Sequence, residues 1–213
     1  MAKVQNTLIG RASGSVGGST FTTWKGINVL KSKAVSVANP RTLGQVSQRS
    51  RLSVMVAIYR LLAEIITIGF KTRAIGKSAY NAFTSSNILD ATTVDAQGVA
   101  SVNYPNLKLA LGTMGSLQID GVTAGAGQSQ CEVEFDDSAS PIGSNINDLA
   151  YMVAYNVRLN EWIASSGTAR SNGTADANFS ANILAGDTIH TYLFFKSFDS
   201  ADVCDSVYAV HTA

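Results

Sequence analysis

The side chains able to do chemistry are few in this chain, and they do not gather. His190 and His211 stand singly among strand-forming residues. A metal site needs clustered ligands, so each reads as a surface or inter-strand residue. Cys131 and Cys204 lie in separate apolar segments, outside any CxxC pair and away from a histidine cluster. That argues against zinc and for buried free thiols. Asp136 with Asp137, and Asp199 with Asp202 and Asp205, place carboxylates on loops without the spacing of a calcium-binding loop. The glycines at 10, 14, 17 and 18 lack the strand, helix and lysine of a phosphate cradle. No GxSxG or HExxH string occurs. The expectation is a protein that is not an enzyme and that uses no metal or cofactor.

In place of a site the chain has one dominant periodic stretch. Residues 39–69 predict a single long helix. Asn39 can cap it with Pro40 in the first turn, and Thr42 with Gln45 offers a second start at capping-box spacing. Gly69 supplies the stop. Apolar residues recur at Leu43, Val46, Val54, Ala57, Leu61, Ile65 and Ile68, joined by a stripe from Leu52 through Met55, Tyr59, Leu62 and Ile66. The first half is polar and basic. The second half is apolar nearly all round, which marks a buried helix, whether in its own core or under neighbouring subunits.

Ahead of it, residues 1–20 read as a Gly/Ser-rich arm or small hairpin. Residues 20–37 read as two short strands turning near Lys25-Gly26, anchored by Trp24. After it come a basic segment, FKTRAIGK, and a short helix over 78–86 with Tyr80 and Phe83 on one face. From residue 90 the pattern changes to short β-rich segments, with Gln130–Asp136 and Val203–Val210 alternating. Ala185-Gly186-Asp187 reads as a turn, and Ser165–Ala177 as an exposed loop. The fold class is therefore α+β: an N-terminal arm and β-hairpin with one long helix, followed by an antiparallel, Ig-like β-sandwich.

Charge divides the chain as sharply. Residues 1–90 hold twelve Lys/Arg against Glu64 and Asp90; residues 91–213 hold four against thirteen Asp/Glu. The split predicts two domains, 1–90 basic and 91–213 acidic. It suits head-to-tail association of copies, contact between the basic half and nucleic acid, or neutralisation within one protomer. Residues 1–20 contain no apolar signal core, and Arg60 and Glu64 interrupt the most apolar run, Val54–Phe70. The expectation is no signal peptide and no membrane partner.

One stretch carries a family likeness. Gly14, Val16 and Gly17, then Trp24 to Gly26, then Asn39, Pro40, Thr42, Gln45, Gln48 and Arg49 form the pattern G-x-V-G, W-K-G, N-P-x-T-x-x-Q-x-x-Q-R. This resembles a group of proteins of similar length found in Bacteroidota genomes and in tailed phages. Ile68-Gly69-Phe70 and Ser78-Ala79-Tyr80-Asn81 resemble it too, so the likeness covers residues 1–87. It implies a place among phage structural genes and brings no catalytic residue. Together with the charge split it leads to a self-assembling virion component: a capsid decoration, neck, tail or fibre-attachment protein. Such a protein is assembled in the host cytoplasm and contacts copies of itself and other virion proteins. The residues expected at interfaces are Lys3, Arg11, Trp24, Lys25, Lys31, Arg41, Gln45, Gln48, Arg49 and Arg51. The alternatives are a nucleic-acid-binding module using the basic half and a carbohydrate-binding module using Trp162, Tyr151 and Tyr155 on the sandwich.

Overall fold

The computed structural model describes residues 2–4, 13–34, 36, 39–115, 118–136, 145–199 and 202–213. Helix formation begins after Thr42, the second of the two possible starts. Thr42 is extended (φ −60°, ψ 155°) and its carbonyl accepts from Val46 N at 2.9 Å, but its side chain makes no capping bond. Helix α1 (Leu43–Leu61) stops at Leu62, and α2 (Ala63–Gly69) departs at 96° to it. The single helix expected over 39–69 is thus two helices and a corner. No proline or glycine marks that corner; Leu62, 4% exposed, is drawn into the core there. An end that is apolar all round must be covered on every side, and the bend buries Met55 and Ile58 of α1 together with Ile65 and Ile66 of α2. Among the described residues no single helix is long and apolar enough to cross a membrane.

Helix α3 (Ala79–Asn87) forms where the sequence predicts a short helix, and the Ser78 hydroxyl caps it by accepting from Asn81 N. Tyr80 and Phe83 share a face: their ring centroids lie 5.0 and 6.5 Å from that of Tyr59, and Phe83 meets Phe70 edge-on at 5.7 Å. After the small hairpin of β5 (Thr92–Val94) and β6 (Ala100–Val102), β7 (Ile119–Thr123) and β8 (Gln130–Phe135) begin the sandwich. They are followed by β9 (Leu149–Asn156), β10 (Glu161–Ala164), β11 (Thr168–Ala169), β12 (Thr174–Asn178), β13 (Thr188–Lys196) and β14 (Val207–Thr212). One sheet runs β10-β9-β13-β14, with β11 also paired to β9, and the other runs β12-β8-β7. All these pairings are antiparallel.

The strand pattern explains the layers. In β8 only alternate residues, Cys131, Val133 and Phe135, are buried, so one face of its sheet is dry and the other wet. In β9 every residue from Ala150 to Asn156 is buried, so both faces of the larger sheet are covered. One face meets the small sheet, as where Phe135 abuts Phe195 at 5.1 Å. The other carries Tyr151, Tyr155, Tyr192 and Phe194, and α2 packs on β13 from that side. The fold is α+β with a β-sandwich-like arrangement, as the alternation predicts, and the helices form a third layer over it. The tract Ser165–Ala177, expected as an exposed loop, instead contains β11, a tight turn with buried Arg170, and β12. Its small residues let the chain lie flat against β9 and β8. Cys131 and Cys204 are buried and unpaired.

The contacts divide the chain into units 1–41 and 42–213. The expected boundary at 90/91 follows the charge step, but the helices before residue 90 and the strands after it share one hydrophobic core. The first unit is a four-stranded antiparallel sheet in the order β1-β4-β3-β2, built of β1 (Ala2–Val4), β2 (Gly14–Val16), β3 (Ser19–Trp24) and β4 (Ile27–Ser32). Strands β3 and β4 turn at Lys25-Gly26, both at positive φ (47° and 79°), the two-residue turn that the Gly permits.

Candidate interaction surface

The first unit presents an unusual face. Register places Thr20 opposite Lys31, Thr22 opposite Val29 and Trp24 opposite Ile27, so these six residues lie on one side of the sheet. Ser15 joins them, its hydroxyl 3.1 Å from that of Thr20. Lys25 folds back so that its ammonium stands 5.4 Å from the Trp24 ring centroid. Trp24 is 49% exposed and Ile27 39%. None of residues 13–34, 36 and 39–41 is buried. Residues 1–41 contain six Lys/Arg and no Asp or Glu.

Of the ten residues expected at an interface, the structure gathers Trp24, Lys25 and Lys31 here. The backbone of Lys3 pairs with that of Val29 in the same sheet. Arg41 is exposed, at φ 50°. Arg11 lies outside the described residues. Gln45, Gln48 and Arg49 are exposed on α1, where a shallow groove of about 390 Å³ runs between Arg49 and Arg60 over Leu52 and Val56. Arg51 turns inward instead. Its Nη1 donates to the carbonyls of Ile88, Leu89 and Thr92 and to Thr92 Oγ1, at 3.2, 3.3, 3.1 and 2.8 Å. A cation there satisfies carbonyls that the C-terminal end of α3 leaves open.

The second unit carries charge of opposite sign on the wet face of its small sheet. With Val133, Cys131 and Ala175 pointing inward, register puts Glu132, Glu134 and Asp176 outward, and exposed Asp120 sits at the irregularity in β7 beside them. Strands β7, β8 and β12 contain no Lys or Arg. The spacing of Glu132 and Glu134 signals an outward face in the sequence, but only the pairing of β12 with β8 brings Asp176 to it.

The aromatic residues do not form an open platform. Tyr155 lies 4.7 Å from Trp162 and 5.2 Å from Tyr104, and Tyr104 stacks on His190 at 4.1 Å. Tyr151 stacks on Phe194. The rings cover one another beside α1, around a cleft of about 340 Å³ that Val54, Leu61 and Asn160 help to line. Burial pushes the Tyr104 and Tyr192 phenols up and the His190 imidazole down, which keeps the cluster uncharged near neutral pH. His190 Nδ1 is bonded to the Tyr208 hydroxyl at 2.8 Å, an inter-strand role. Among the described residues no three metal-binding side chains come together.

One family model, described as Family of unknown function (DUF6266), matches residues 11–210. The chain belongs to this family. No curated protein matches it. The DUF6266 match runs through the basic sheet, the helices and the sandwich, so both units are parts of one family architecture. It assigns no role to any residue. The charged pair Arg158–Asp187 and the buried pair Arg170–Asp148 had no signal in the sequence, because each joins residues that only the strand order makes neighbours.

Proposed function

We propose that this DUF6266 protein is a non-catalytic, self-assembling structural component, working through protein–protein interfaces in a phage virion. The observation that carries the reading is the N-terminal sheet. Its strands β2, β3 and β4 hold no buried residue and bear an exposed tryptophan and isoleucine, a surface that calls for a cover. The N-P-x-T-x-x-Q-x-x-Q-R stretch supports the phage setting by its resemblance alone. The test is the mass of the full chain in solution, by light scattering from low to high salt, followed by peptide detection in purified particles. A defined oligomer and a multi-copy virion signal are expected; a monomer at every salt and its absence from particles overturn the reading.

A second reading, nucleic-acid binding, is favoured by the six cations and no carboxylate of residues 1–41. It expects DNA affinity that falls steeply with salt, and no DNA binding at low salt ends it.

A further inference from the structure

We infer that the Trp24–Lys31 face of the N-terminal sheet docks on a second copy of this chain, against the outward face of that copy's β7-β8-β12 sheet. The inference rests on the self-assembly reading and names the two surfaces. The sheet face is unpartnered: Trp24, Ile27 and Lys31 are exposed, and none of residues 13–34, 36 and 39–41 is buried. Its charge is of one sign, because residues 1–41 carry no acid at all.

The occupant follows from charge complementarity within the chain. Glu132, Glu134 and Asp176 point outward beside Asp120 on strands that hold no cation. No ion pair involves any of the four among the described residues. Both surfaces are sheet faces, so side chains of one stand roughly perpendicular toward the other. A basic face that meets a different, acidic face is a heterologous contact. It closes into a ring or runs on as a filament, and each copy uses both of its surfaces. Opposite charge steers the encounter and fixes register, while Trp24 and Ile27 supply the apolar area.

The experiment uses three full-length proteins: wild type, E132K/E134K, and W24A/K31A. Each is checked for an unchanged unfolding midpoint at about 1 M salt, where charge-driven assembly is screened out, with E132Q/E134Q as the milder version of the second. Light scattering at about 0.01 M salt, where screening reaches only beyond about 30 Å, reads assembly. Wild type should assemble. Each variant alone should be monomeric, its association weakened at least about 100-fold, as expected when close charge pairs are lost from an interface. A mixture of the two variants should stop at a heterodimer, because one intact sheet face meets one intact acidic face and no second junction can form. If wild type assembles and E132K/E134K assembles equally well, the docking inference falls while self-assembly stands. Regrowth of full-size assemblies in the mixture also overturns it. If wild type is monomeric throughout, the self-assembly reading falls and takes the inference with it.

Discussion

Removing Asp148 should destabilise the fold far more than removing Arg170, although the two form one ion pair. Both side chains are buried, at 0% and 1% exposure, and Arg170 Nη1 stands 3.7 Å from Asp148 Oδ2, too far for a hydrogen bond. The carboxylate has other partners: Asn145 N donates to Oδ2 at 2.7 Å and Phe198 N to Oδ1 at 3.0 Å. The guanidinium has fewer. It lies 4.8 Å from the Phe195 ring centroid, and its Nε and Nη2 find no hydrogen-bond partner among the described residues. Asp148→Ala therefore leaves a buried cation without a counter-charge and frees two backbone amides. The expected loss is about 3–5 kcal/mol, a fall in Tm of roughly 6–20 °C for a chain of this size. Arg170→Met removes two unpartnered donors, keeps an unbranched chain over Phe195, and leaves the carboxylate its two amides. Its loss should be smaller by about 2 kcal/mol or more, because removing poorly paired polar groups relieves desolvation. The double variant should recover part of the Asp148→Ala loss, since the stranded charge is gone. Urea unfolding of the four proteins measures this. Equal losses for the two single variants, or a double variant worse than Asp148→Ala, would refute the reasoning.

A methyl at Gly112 would overlap the Val203 carbonyl, which accepts from Thr113 N and Met114 N, so Gly112→Ala should cost about 1–3 kcal/mol or prevent folding. Gly44, in α1 with open space around it, should do the opposite, gaining about 0.5–1 kcal/mol as alanine in the same urea assay. Arg51→Met strips the hydrogen bonds from the end of α3, and thermal unfolding should show a loss of about 1.5–3 kcal/mol. The Arg158 guanidinium, 2.6 Å away through Nε, holds the Asp187 carboxyl well below the usual carboxylate range, helped by Leu184 N and the Asn156 amide. A depressed folded value stabilises above the unfolded one, so this contribution is complete above about pH 5 and drains away as pH falls below about 4; Asp187→Asn should flatten that acid limb. Burial pushes the Cys131 and Cys204 thiols up to about 11, so a thiol reagent near about pH 8 should label them only on unfolding.

What the sequence revealed followed from local rules. Lys25-Gly26 announced a hairpin because only a glycine-containing pair takes two positive φ angles easily. The Ala185-Gly186-Asp187 turn was legible for the same reason, with Gly186 at φ 89° and Leu184 N bonded to Asp187 Oδ2. The spacing of Tyr80 and Phe83 announced a short helix, and the alternation of Gln130–Asp136 announced a sheet with one wet face. The misses were all non-local. The corner at Leu62 has no breaker residue, and its cause is the core beneath it. Arg51 sits among polar residues of α1 as though on a solvated face, yet carbonyls some forty positions later claim it. Arg170 lies in a Ser/Gly/Thr tract whose composition says loop, but β9 and β8 offer it edges to pair with. The charge step at residue 90 was real in composition and irrelevant to packing, because surface charge carries no information about which apolar faces meet.

The same distinction sharpens the case for a protein partner over a nucleic acid. A unit of 41 residues lies near the lower size at which a chain stabilises itself, and this one buries no described side chain. Its cations also repel one another, which weakens a compact sheet further. An anionic polymer would relieve the repulsion but leave Trp24 and Ile27 wet, at 49% and 39% exposure. An apolar cover would bury those two but strand Lys25 and Lys31 without counter-charges. A second protein surface that offers carboxylates answers both demands, pairing the lysines while it excludes water from Trp24 and Ile27, and the sheet face with outward Glu132, Glu134 and Asp176 offers those carboxylates. The association that covers the unit would then also order it, so the sheet's stability and the assembly's salt dependence should rise and fall together.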